Sequence, residues 1–75
     1  METNPPPVSV VAARNIKSHL VDQGLTKNAL AIKAKIPATT FDRKLGRPEQ
    51  FTLKDLGDIA EALNVTFEHL IKGAA

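Results

Sequence analysis

The fold is decided by one stretch of the chain, TKNALAIKAKIPATTFDRKL, at residues 26–45. Thr26 is a good N-cap, because its hydroxyl can accept a hydrogen bond from an N–H group in the first turn of a helix. The pattern behind it predicts a short helix over residues 27–34. Leu30 and Ala31 are the expected inward positions of this helix, so its apolar contact is small and its exterior is largely polar or basic.

The second half of the stretch predicts another short helix. Pro37 interrupts the first one, because proline disfavours helical conformation in the preceding residue but is tolerated at a helix start. The new helix is expected over residues 38–45, with Phe41 and Leu45 inward at positions i and i+4. Gly46 is expected to end it. Phe41 is therefore the single large anchor among side chains that are otherwise short, polar or charged.

Three further helices complete the prediction of an all-α fold, a compact bundle of five short helices with no strand pattern. Residues 1–7 end in three prolines and are predicted to form a disordered tail, so the folded domain is expected over residues 8–75. Residues 46–51 are predicted to form a loop. The first of these helices is expected to run to about Asp22, capped by Ser9 and closed by Gly24, with Val10 or Val11, Ala13, Ile16 and Leu20 inward. The second is expected over 53–63, capped by Thr52 with Asp55 and closed by Asn64, with Leu53, Leu56, Ile59 or Ala60, and Leu63 inward. The third is expected over 67–72, capped by Thr66 and closed by Gly73.

Composition excludes several classes of protein. The 75 residues make one small domain with a thin core, and their apolar fraction of 43% is normal for a globular protein. There is no cysteine, which excludes disulfides and thiolate metal ligands. No apolar run approaches the roughly 18 residues of a membrane span. The N-terminal residues lack a basic region followed by an apolar one, so neither a signal peptide nor membrane insertion is expected.

The sequence contains no recognisable catalytic or metal-binding pattern. His19 and His69 are far apart in the chain and have no partners at ligand spacing, so no metal site is expected. Ser9 and Ser18 are not accompanied by a His–Asp arrangement. There is also no glycine-rich phosphate loop and no pair of carboxylates in a catalytic frame. We therefore predict that the protein is not an enzyme and uses no cofactor.

The charges are segregated along the chain. Residues 14–54 contain nine basic side chains and three acidic ones, a net charge of +6. From residue 55 onward, four acidic side chains face one lysine, a net charge of −3. Because one part of the molecule attracts polyanions and another does not, this distribution favours a polyanionic partner over a purely solubilising role.

The helices predicted over 27–34 and 38–45 form a candidate helix-turn-helix. The major groove of DNA is about 12 Å wide and admits one helix. Such a helix must be buried along a narrow line and must carry side chains on its outer face that reach base edges. Phe41 and Leu45 supply the narrow buried line, and the other side chains of residues 38–44 are expected to be largely exposed.

A wider set of residues surrounds this pair of helices at a characteristic spacing: Thr26, Leu30, Ala31, Ile36, Thr39, Thr40, Phe41, Arg43, Gly46, Leu53, Ile59, Ala60, Leu63, Val65 and Leu70. In this spacing the chain resembles the lambda-repressor/Cro-like helix-turn-helix domain family, over about residues 11–71. Two residues depart from the family pattern. Lys35 stands where the turn often has glycine, which predicts a left-handed lysine or a different turn, and Pro37 replaces the usual small polar cap.

The resemblance implies a sequence-specific DNA-binding transcription regulator, of the phage repressor or Cro type or a small bacterial regulator, acting on DNA in the cytoplasm of a bacterial host. It implies double-stranded DNA as the partner, with helix 38–45 in the major groove. By matched positions, the base-reading residues are Ala38, Thr39 and Arg43, and the phosphate contacts are Lys27, Thr40, Lys44, Arg47 and Lys54. Lys17, Lys33 and Lys35 are weaker candidates for phosphate contacts.

Several alternatives remain open at this point. A helical protein-interaction module, such as an antitoxin-like or adaptor domain, can keep this fold without reading DNA. An architectural or excision-type DNA binder with low sequence preference is a third option. Asp42 can pair with Arg43 or Lys44, accept from a cytosine amine, or remain an exposed acid. Family members commonly bind palindromes as dimers, so the chain can act as a homodimer through Phe67, His69 and Ile71, or as a monomer in which Phe67 and Ile71 complete the core.

Overall fold

The computed structural model describes residues 7–72, which form five α-helices and one short 3₁₀ turn. This confirms the all-α prediction and the number of helices. The bounds are α1 Val8–Gln23, α2 Lys27–Ala34, α3 Ala38–Gly46, α4 Leu53–Leu63 and α5 Phe67–Leu70, with the 3₁₀ turn Pro48–Gln50 between α3 and α4.

The helices surround one small core. The helix pair α2–α3 packs together, α2 lies along α4, and α1 is held by the 3₁₀ turn and by α5. Between residues 7 and 72, none of the helices combines the length and the apolar character needed to cross a bilayer. The buried apolar side chains are Val11, Ala12, Ala13, Ile16, Leu20, Leu30, Ala31, Ala34, Ile36, Phe41, Leu45, Phe51, Leu56, Ile59, Ala60, Leu63 and Leu70.

Hydroxyl caps start three of the helices as predicted. The side-chain oxygens of Thr26, Thr52 and Thr66 each accept a hydrogen bond from the backbone N–H three residues later. The predicted Ser9 cap of α1 is wrong: the helix begins two residues earlier, at Val8, and Pro7 is its N-cap, without a side-chain hydrogen bond. The Pro7 carbonyl already accepts from the N–H groups of Val10 and Val11, so Ser9 lies inside the first turn.

Left-handed residues end three helices. Gly24 and Asn64 adopt positive φ values of 64° and 61°, as the sequence predicts. Lys35 also has a φ of 61°, and its N–H donates to the Ile32 carbonyl at 3.1 Å. A left-handed lysine costs roughly 1–2 kcal/mol relative to an unstrained residue. The turn between α2 and α3 therefore keeps the geometry for which glycine is better suited.

The ends of α3 and α5 differ from the prediction. Gly46 is the last residue of α3 and not the residue that follows it, because the N–H of Arg47 still bonds to carbonyls of the final turn. The helix α5 ends at Leu70 and does not reach Lys72. Gly73, its predicted stop, and residues 1–6 of the predicted tail lie outside the described residues.

The connection between α3 and α4 is more ordered than the predicted loop. Its residues form the 3₁₀ turn, and Phe51 then enters the core with its ring 6.4 Å from that of Phe41, edge to face. Leu53 was expected in the core but is 75% exposed. Since Phe51 fills the space before α4, the buried stripe of that helix starts one turn later, at Leu56.

The end of α5 is fastened to α1. The Asn15 side chain donates to the carbonyl oxygens of Leu70 at 2.7 Å and Lys72 at 2.9 Å. Phe67 and Ile71 are half-buried and pack against the core, whereas His69 is exposed. Although His19 and His69 are far apart in the chain, the packing of α5 on α1 brings their rings to a centroid distance of 5.3 Å.

Candidate nucleic-acid interface

The helix α3 is buried along one narrow line. Phe41 is 0% exposed and Leu45 is 5% exposed, while their neighbours on the other sides of the helix face outward. Two leucine-sized or larger side chains at positions i and i+4 thus fix the rotation of the helix about its axis. The predicted role of Phe41 as the buried anchor of this helix is confirmed.

The outward face of α3 presents the three predicted base-reading residues. Ala38, Thr39 and Arg43 are all exposed, and Thr39 and Arg43 lie one above the other at positions i and i+4. Asp42 is also exposed and lies one turn after Ala38. Thr40 was expected to be largely exposed but is half-buried, because it lies closer to the inward line of the helix.

A cleft separates the start of α2 from the start of α3, and five residues line it: Lys27, Asn28, Ala38, Thr39 and Asp42. The ammonium group of Lys27 donates to the Asp42 carboxylate across this cleft at 3.0 Å. Asp42 therefore pairs with Lys27 on α2. The alternatives taken from the sequence, a pair with Arg43 or with Lys44, are not formed among the described residues. Both side chains are mostly exposed, at 60% and 67%.

Lys44 lies in a different environment from Lys27. Its ammonium group donates to the Asp55 carboxylate, and the two side chains are each only 16% exposed. Asp55 also accepts from the Thr52 N–H at 3.1 Å and completes the capping box at the start of α4. Lys44 was expected to be largely exposed. It joins the end of α3 to the beginning of α4 instead.

The carboxylate of Asp55 is held in its charged form. Burial acts to raise the pKa of Asp55, but the hydrogen bonds from Lys44 and from the Thr52 backbone, together with the lysine charge, outweigh it. The pKa of Asp55 therefore lies below its ordinary value.

The remaining predicted phosphate contacts are spread over two surfaces. Arg47 is exposed directly after α3. Lys54 is 85% exposed and donates to Asp58, one turn later on α4, at 2.9 Å. This hydrogen bond, followed by the charge of Asp58, raises the pKa of Lys54 above its ordinary value. Lys54 lines an open groove with Lys33 and Lys35 at the end of α2, so it is separate from the cleft that contains Lys27.

Asn28 is a residue of the cleft that the sequence prediction missed. It is the second residue of α2, directly after Lys27. The first N–H in the helix to find a backbone partner is that of Leu30, and the N–H of Ala29 is held by the Thr26 hydroxyl. The amides of Lys27 and Asn28 precede both, and such first-turn amides remain for solvent or an anion. The sequence signal that could have identified Asn28 is its position one residue after Lys27.

Clustered metal ligands are not part of this surface. Across residues 7–72, no three His, Cys, Asp or Glu side chains come together as a metal site.

Comparison with known proteins adds one match. The model of a protein family described as the Cro/C1-type HTH DNA-binding domain matches residues 15–72. The matched segment contains α2, the turn, α3, α4 and α5, and most of α1. No curated protein and no solved structure matches the chain.

Proposed function

The chain belongs to the family of Cro/C1-type helix-turn-helix DNA-binding domains, as its sequence spacing indicated, and we propose that it is a sequence-specific transcription regulator. In this proposal α3 enters the major groove of double-stranded DNA, in the manner of a phage repressor or Cro protein. The observation that carries it is the arrangement of one helix: Phe41 is fully buried while Ala38, Thr39 and Arg43 are exposed.

The proposed base readers are Arg43, Thr39 and Ala38. The guanidinium of Arg43 can donate two hydrogen bonds to O6 and N7 of guanine, the most common specific contact in the major groove. Among the ion pairs of residues 7–72, none involves Arg43, so a described acid does not compete for it. Thr39 can contact a base or a thymine methyl group, and Ala38 can pack on a methyl group.

The proposed phosphate contacts begin at α2. Lys27 and the first amides of α2 lie beside the base readers, where the positive end of the helix also favours an anion. Thr40, Arg47 and Lys54 are proposed to contact neighbouring phosphates. For Lys44, the ion pair with Asp55 favours a supporting role, in which it fixes the corner between α3 and α4 and thereby the tilt of α3.

The test is selection of bound sequences from a random pool of duplex DNA, with the natural chain and with Arg43→Ala. The natural chain is expected to select a defined motif. Arg43→Ala should lose about 1–3 kcal/mol of binding free energy on that motif and become indifferent at one base pair. Lys33→Ala is the charge-matched control, because Lys33 is exposed outside the cleft, and it should keep the full motif.

The same selection also decides between the remaining alternatives. A palindromic motif with half-sites one helical turn apart indicates a homodimer, and a single short site indicates a monomer. A chain that binds no duplex DNA even at low salt would instead be a helical protein-interaction module. The proposal places the protein on DNA in the cytoplasm of a bacterial host and gives it no enzymatic activity.

A further inference from the structure

The two histidines of the chain meet on the surface between α1 and α5. The ring centroids of His19 and His69 are 5.3 Å apart and the ring planes are inclined by 47°. They line a small open cavity of about 140 Å³ together with Asn15, Ser18 and Lys72. None of these residues has a part in the proposed reading of DNA.

The distance between the rings fits the chelation of one metal ion. A tetrahedral zinc ion with two imidazole nitrogens at 2.0–2.1 Å places the ring centroids roughly 5 Å apart. Imidazole is a preferred ligand of zinc, copper and nickel, and it is not a preferred ligand of magnesium or calcium. We propose that His19 and His69 together bind a divalent transition metal ion such as zinc.

The backbone on both sides of the pair is fixed before any metal binds. Asn15, one turn before His19 on α1, holds the carbonyl oxygens of Leu70 and Lys72. The N–H of His69 donates to the Thr66 hydroxyl at 3.0 Å. The two ligands therefore come from helices whose relative position is already set, which reduces the entropy lost on chelation.

Two protein ligands leave the other coordination positions of the ion to water. The site is therefore weaker than a closed four-ligand structural zinc site. The charge of Lys72 in the same cavity also opposes a cation. Because the ion joins α1 to α5, its binding stabilises the folded chain.

Thermal unfolding with zinc chloride tests the proposal, with magnesium chloride as the control cation. Once zinc exceeds its dissociation constant about tenfold, the midpoint should rise by about 5 °C or more, and magnesium should have no such effect. His19→Ala and His69→Ala should each abolish the rise. Lys72→Ala is the matched control, because it keeps both ligands and removes the opposing charge; it should retain the rise or enlarge it.

A measurement on the natural chain covers the case in which a histidine variant does not fold. The chain has two histidines, so two Hε1 proton signals report on the whole site in an NMR titration. Both should shift together and saturate at one zinc ion per chain. The proposal is wrong if millimolar zinc moves neither signal, if only one signal moves, or if the thermal shift survives in either alanine variant.

Discussion

Lys27 and Lys44 each form an ion pair that joins α3 to another helix, but the two pairs lie in different environments. The Lys27–Asp42 pair has side chains 60% and 67% exposed, whereas both side chains of the Lys44–Asp55 pair are 16% exposed. An exposed pair contributes only about 0.2–1 kcal/mol, because water and salt screen it. A largely buried lysine cannot leave its partner without leaving an unpaired charge behind.

This difference separates two roles that one residue type can have. Lys27 can exchange its carboxylate partner for a DNA phosphate at small cost. Lys44 has the same charge and lies on α3 itself. Its ammonium group is already paired with Asp55, however, and this pair joins α3 to the capping box of α4. Burial, and not sequence position, therefore decides which lysine is available to a ligand.

The largest effect is expected from Lys44→Ala. It removes the partner of Asp55 and the buried stem of the lysine, so the free energy of unfolding should fall by about 1–3 kcal/mol. The thermal midpoint should drop by about 5–15 °C. Lys54→Ala is the matched control, since Lys54 pairs with Asp58 but is 85% exposed, and its midpoint should stay nearly unchanged. Equal drops in the two variants would remove the distinction between buried and exposed pairs.

Acid should also weaken the Lys44–Asp55 ion pair, with a smaller effect than the Lys44→Ala substitution. The pKa of Asp55 is below its ordinary value in the folded protein. The stabilisation that the charged carboxylate contributes is therefore complete above the unfolded pKa of about 4. It is lost as the pH falls through the folded pKa. Denaturant unfolding of the natural chain and of Lys44→Ala, from pH 6 downward, measures this loss. The difference between their free energies of unfolding should shrink in acid. A difference that stays constant with pH would show that the lysine stabilises through packing alone.

The sequence predicted best what is decided within one turn of chain. Thr26, Thr52 and Thr66 cap their helices because a hydroxyl before a helix reaches the N–H three residues later whatever the rest of the fold does. The left-handed residues Gly24 and Asn64 follow in the same way from local backbone preference. The burial of Phe41 could be predicted equally well from the sequence, since it is the only large apolar side chain among polar neighbours.

What the sequence did not predict depends on contacts between distant segments. Leu53 fits the apolar period of α4, yet Phe51 occupies the core before it, and only the path of the 3₁₀ turn decides between the two. The partner of Lys27 lies 15 residues away on another helix. His19 and His69, which looked unrelated, meet because α5 packs on α1. Periodicity gives the faces of helices but not the side chains that meet across them.

Lys27→Ala tests the exposed pair from the side of the lysine. Because phosphates carry no sequence information, DNA affinity should fall about equally for all sequences, by about fivefold to tenfold at 0.1 M salt. The slope of log affinity against log salt should decrease by about 0.9. Lys17→Ala, an exposed lysine on α1, is the charge-matched control and should change neither quantity by as much. Loss of preference at a single base pair would instead make Lys27 a base reader.

Asp42→Asn tests the same pair from the side of the acid, and its effect should be the smallest. The change keeps the shape of the side chain, removes a negative charge that would face the phosphates in the proposed complex, and releases Lys27. Affinity for all sequences should therefore rise about twofold to fivefold. Asp22→Asn, at an exposed acid near the end of α1, measures how much of that gain is net charge alone. Only the part due to the released lysine should disappear in the Lys27→Ala background. If Asp42 accepts from a cytosine amine, the variant will lose affinity at one base pair instead, and the acid would then be a reader and not a competitor of the DNA backbone.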